Sequence, residues 1–114
     1  MGNNVFYVYI RLKNSYLTQL PPTVREALNS HCGDNAILCL SVCKERELEA
    51  CIGEKVGFWK EHTESTEVKI NGAELVIHQI QVLNGGIELS PVIMSAIGEA
   101  NLSLGMTHTV CKLV

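Results

Sequence analysis

Hydrophobic and polar positions alternate strictly from Val5 to Lys13, where Phe6, Val8, Ile10 and Leu12 interleave with Tyr7, Tyr9, Arg11 and Lys13. A period of two predicts a half-buried strand with the first set facing a core. After Asn14-Ser15, the run from Tyr16 to Leu20 reads as a second extended piece, ended by Pro21-Pro22 because proline removes backbone donors. Pro22 suits a first helical turn, and Val24, Ala27 and Leu28 give a helix near Pro22 to Ser30 one apolar stripe. Cys32-Gly33-Asp34 supplies a glycine stop, and Ala36 to Val42 predicts the next strand, with Ile37 and Leu38 turned inward.

The middle of the chain continues the alternating pattern. Glu47 to Ile52 predicts a strand with Leu48, Ala50 and Ile52 inward. Gly53 to Thr66 is more polar and holds the single tryptophan, in Gly57-Phe58-Trp59-Lys60. Val68 to Ile70 and Glu74 to Ile77 flank Asn71-Gly72, a strong hairpin signal. Gly86 to Leu89 is then extended, Ser90-Pro91 opens a helix running from Pro91 to Asn101 with Ile93, Ala96 and Ile97 buried, Gly105 ends it, and Thr107 to Val114 is the last strand. Aligning Leu20 to Leu28 with Leu89 to Ile97 matches Leu, Pro and Ala, and brings Gly33 onto Gly105 and Cys39 onto Cys111. The reading is a degenerate internal repeat of strand, strand, helix, strand, with units at about 5–42 and 67–114.

With 114 residues, 46% hydrophobic and 18% charged, the chain suits one domain able to bury its own core. Five cysteines, an odd count, together with the lack of a signal-peptide pattern or long apolar run, predict a reducing cytosolic or nuclear setting, of which the cytoplasmic one is taken, and no membrane span. A net charge of −3 has the wrong sign for gathering a nucleic-acid backbone.

Two strand-strand-helix-strand units around a β-rich middle resemble a double-psi β-barrel of the cradle-loop class, mainly β with two short helices. Lys13-Asn14-Ser15-Tyr16-Leu17-Thr18-Gln19-Leu20-Pro21-Pro22 is similar to the opening of peroxin-1-type N-terminal domains. The helix, the Gly33-Asp34 turn and Lys44-Glu45-Arg46-Glu47-Leu48-Glu49-Ala50-Cys51-Ile52 resemble the N-terminal lobe of valosin-containing-protein-like AAA+ ATPases. The resemblance implies a non-catalytic protein-interaction domain that recognises an adaptor, a substrate or an AAA+ assembly. The same strand-helix-turn signal also resembles AbrB-type DNA-binding regulators, the alternative reading.

Catalytic constellations are missing from the sequence. There is no G-x-x-x-x-G-K-[ST] phosphate loop, no Gly-Ser bond for pyruvoyl self-cleavage and no G-x-S-x-G elbow, while Asp34 is the single aspartate. Cys39 and Cys43 invite a metal reading near His31 and Cys32. Four extended residues separate them by about 13 Å, however, so small buried hydrophobes are the preferred role and neither metal nor cofactor is expected.

If Phe6, Val8, Ile10 and Leu12 face the core, Tyr7, Tyr9 and Arg11 share the outer face, and aromatic and arginine side chains make favoured interface anchors. Phe58 and Trp59 offer a second anchor in the polar middle segment. These five residues are the candidate partner-binding set. The competing reading for the tyrosines is a strand covered by the chain's own Gly53 to Thr66 segment.

Overall fold

The computed structural model describes residues 5–64, 72–81 and 89–110. Five strands form one sheet in the order β2-β3-β1-β4-β5: β1 (Val5–Lys13), β2 (Leu28–Cys32), β3 (Asn35–Lys44), β4 (Glu74–Gln81) and β5 (Ser103–Val110). β1 lies antiparallel between β3 and β4, β2 caps one edge antiparallel to β3, and β5 runs parallel to β4 at the other. Among the described residues, three α-helices accompany the sheet: α1 (Pro22–Arg25), α2 (Leu48–Thr63) and α3 (Pro91–Glu99).

The architecture is a mixed α/β domain with an open sheet, where a closed, mainly β barrel was expected. Its two layers follow from the alternation in β1. Phe6, Val8, Ile10 and Leu12 are at most 1% exposed and join Leu38, Leu75 and Ile77 in a single core. Every described helix reaches that cluster from the same face, through Val24 of α1, Leu48, Ile52, Val56 and Trp59 of α2, and Ile97 of α3.

The largest correction concerns residues 47–52. Rather than a strand, this segment opens the sixteen-residue helix α2. Leu48 and Ile52 are buried as expected, but the stripe continues through Lys55, Val56 and Trp59 at helical spacing, and Ala50 faces solvent. Over six residues, positions i and i+4 satisfy either period; Gly53 and Gly57 disguise the continuation because glycine weakens a helix interior.

Other boundaries also move. Residues 14–19 form a 3-10 turn instead of an extended piece, and α1 stops at Arg25, so that Leu28 already belongs to β2. The α3 helix ends at Glu99 through a glycine-like stop made by Asn101, whose φ is +59°. Asn101 N–H donates to Gly98 O and Leu102 N–H to Ile97 O, while Ile97 and Leu102 are both buried, which is the Schellman arrangement. Gly105, expected to be that stop, lies inside β5.

The two sequence units take different connections. The first folds β2 and β3 into an antiparallel hairpin beside β1, whereas in the second α3 carries the chain from β4 to a parallel β5. The expected strands at Val68 to Ile70 and Gly86 to Leu89, and the end of the last strand beyond Val110, lie outside the described residues, apart from Leu89 itself, which packs against the core.

Candidate functional site

The sheet face opposite the helices is built by the second half of each alternation. Register places Tyr7 beside Val42 and His78, Tyr9 beside Val76, and Arg11 between Ile37 and Glu74. Tyr7, Tyr9 and Arg11 are half-buried, and Val42 is 60% exposed. Polar contacts organise the β4–β5 side. Arg11 Nη2 donates to Glu74 Oε2 at 3.0 Å, His78 Nδ1 and Thr107 Oγ1 lie 2.5 Å apart, and the Tyr7 and His78 rings are tilted with centroids 6.4 Å apart. Val76 is fully buried yet stands outside the main core cluster, because its side chain belongs to this second face.

A bulge in β3 sets what this face displays. Ile10 pairs with Leu38 but Val8 pairs with Ser41, so Tyr9 opposes the two residues Cys39 and Leu40. Cys39 takes the left-handed conformation, φ +56°, which costs a residue with a Cβ on the order of 1 kcal/mol. The distorted turn is held on its edge side: Cys39 N–H donates to Ala27 O at 2.9 Å, and Leu40 N–H donates to Asn29 Oδ1 at 2.8 Å.

The bulge reverses side-chain parity. Uninterrupted alternation from Ala36 and Leu38 would bury Leu40 and Val42 and turn Ser41 away from the helices. Instead Ser41 and Cys43 fall on the inner face with Val8 and Phe6, and Val42 is turned out beside Tyr7. Exposing an apolar side chain while turning a half-buried hydroxyl inward contradicts the simplest pattern of the strand, and such local conflicts concentrate at functional sites.

The second expected anchor divides between core and surface. Trp59 is 3% exposed and packs in the core, so it presents no surface to a partner in this structure. Phe58, the preceding residue of α2, is half-buried with its ring centroid 4.6 Å from that of His62, and it lines a cleft on the helix side of the sheet. Tyr7, Tyr9 and Arg11 are therefore together, whereas Phe58 and Trp59 are on the other layer. Sequence reading missed Val42 and Lys55. The first needs the bulge to reach the outer face, and the second is recognisable only once residues 48–63 are read as a helix.

Burial governs the thiols on this layer. It raises the Cys39 thiol above its ordinary value against the opposing charge of Lys55. The Cys43 thiol is pushed up to about 11, first by burial and then by neighbouring Cys51 and Glu47. Raised thiols are poor nucleophiles and poor metal ligands at neutral pH. Among the described residues, no three His, Cys, Asp or Glu side chains gather as they would around a metal ion, and no helix is long and apolar enough to cross a membrane.

No protein-family model, curated protein or solved structure matches the chain.

Proposed function

We propose that this chain is a non-catalytic protein-binding module whose partner seats on the outer sheet face around Tyr7, Tyr9 and Val42. The observation that carries the reading is the β3 bulge, which exposes Val42 by 60% next to two half-exposed tyrosines. Tyrosines on a strand lose little rotamer freedom on binding and bring large contact area, and a β-branched neighbour supplies flat apolar surface between them. The resemblance to peroxin-1-type and valosin-containing-protein-type N-domains supplies the partner class: an adaptor, a substrate or an AAA+ assembly in the cytoplasm. A double-psi ancestry of the β-rich unit belongs to the same proposal.

DNA binding draws less support from the same face. Arg11, its central cation, is held by Glu74, and the chain carries a net charge of −3.

A photo-crosslinking amino acid at position 42 tests the reading in cells, with captured proteins identified by mass spectrometry and compared with those captured by the Tyr7→Ala, Tyr9→Ala double variant. A specific protein captured at position 42 and lost in the variant, with melting temperature unchanged, is the expected result. Capture that persists in the variant, or a variant that loses stability first, overturns it.

A further inference from the structure

On the helix side of the sheet, next to edge strand β2, a cleft of 460 Å³ opens between the α1–β2 turn, the β3 bulge and α2. Lys55, on the core-facing stripe of α2, is 6% exposed and lines this cleft. Its Nζ donates to Ser41 Oγ at 2.6 Å. That hydroxyl is its one acceptor among the described residues, and no carboxylate among them lies within ion-pair distance of it. Buried charges are ordinarily paired, since an ammonium withdrawn from water loses its hydration for nothing unless an anion replaces it. Among the described residues, Lys55 therefore has two N–H donors and its charge without a counterpart.

The surroundings narrow what the counterpart is. A volume of this size matches a small molecule, and Ala27, Leu28, Leu40 and Phe58 give it apolar walls. Glu26 and Glu54 also line the cleft, so one buried positive charge is set against two acidic groups. Both carboxylates are exposed and screened by water, whereas the Lys55 charge is buried, so an anion is favoured only at the Lys55 end, and the apolar walls favour one carried on a hydrocarbon body over free phosphate. The bulge matters here too, because it alone turns the Ser41 hydroxyl toward Lys55, and strained backbone of the kind seen at Cys39 is retained where the surrounding structure uses it.

We propose that this cleft binds a small monocarboxylate with an apolar body, its carboxylate on Lys55 Nζ and Ser41 Oγ and its hydrocarbon against Leu28, Leu40 and Phe58. The site is separate from the outer face and stands or falls independently of it.

Calorimetric titration of the full chain with phenylacetate tests this, with benzylamine as the cation of similar body and inorganic phosphate as the anion without one. One phenylacetate should bind per chain with Kd below about 1 mM, weakening at least about tenfold in Lys55→Met, while benzylamine does not bind. Phe58→Ala, which keeps the charge and trims the wall, should weaken binding about threefold or more. Phosphate or benzylamine binding as tightly as phenylacetate overturns the assignment, as does unchanged binding in Lys55→Met. If Lys55→Met does not fold, the side-chain nitrogen resonance of Lys55 in the unaltered protein decides: it must shift on titration with phenylacetate, and a resonance that stays in place rejects the site.

Discussion

The Glu74 carboxylate lies across Gly105: a Cβ added at that glycine would sit 2.8 Å from Glu74 Oε2, the oxygen that receives Arg11. Three strands thus cooperate in one surface ion pair, β1 giving the guanidinium, β4 the carboxylate and β5 the gap. Both partners are about one-third exposed, so the pair contributes modestly and its dependence on Gly105 is more informative than its size.

Gly105→Ala should therefore displace the Glu74 side chain at little cost, within about 0.5 kcal/mol overall, since the obstructing atom is the far end of a flexible chain. Its effect appears in coupling. A double-mutant cycle over Arg11 and Glu74 should read about 0.2–1 kcal/mol in the native background and close to zero in Gly105→Ala. Equal coupling in both backgrounds, measured by urea unfolding, would show that the carboxylate has another route to Arg11.

Substitutions in α2 separate helix from strand directly. Ile52 is fully buried, so Ile52→Ala should cost about 2–5 kcal/mol. Ala50 is exposed, and Ala50→Lys should change stability by no more than about 0.5 kcal/mol. A strand with Leu48, Ala50 and Ile52 inward requires both to be severe, and a large loss at position 50 in denaturant unfolding would reinstate it.

Asn101 carries the αL position of the Schellman stop behind α3. Asn101→Gly should match or exceed the native protein in stability, while Asn101→Ala should fall about 1 kcal/mol below Asn101→Gly, because alanine gains a Cβ clash without a local hydrogen bond. Thermal unfolding of the two variants side by side measures the difference. No gap between them would mean that the turn relaxes out of αL.

Cys43 links stability to alkaline pH. Its folded value near 11 lies above the ordinary 9.0, so the folded state holds the thiol proton more tightly than the unfolded chain. The associated stabilisation is complete below about pH 9 and disappears as pH rises through 11. Unfolding free energies of the native protein should consequently fall more steeply than those of Cys43→Ala between those limits. Parallel pH curves would count against a buried, protonated thiol.

The sequence by itself determined the inner face of β1, the strand at β4, the helix opened by Ser90-Pro91 and the grouping of Tyr7, Tyr9 and Arg11. Each depends on spacing within one element, and local spacing is visible without knowing what the element packs against. Capping is local in the same way: the Ser90 hydroxyl accepts the Ile93 N–H at 3.4 Å, as its place before a proline suggests.

Tertiary structure decided the rest. Whether Leu48 and Ile52 belonged to a strand or a helix turned on Val56 and Trp59 finding the same core from further along the chain. The open sheet, in place of a barrel, reflects a parallel pairing between β4 and β5 that involves residues 29 positions apart, as with His78 and Thr107. Above all, the apolar run Leu38-Cys39-Leu40-Ser41-Val42 is written as though Leu40 and Val42 were buried. Pairing with β1 inserts one residue at Cys39, anchored by Ala27 and Asn29 from the neighbouring turn and strand, and everything beyond it changes sides. Period-two arithmetic is blind to such an insertion, because a bulge is specified by contacts across strands and not by the residues within one.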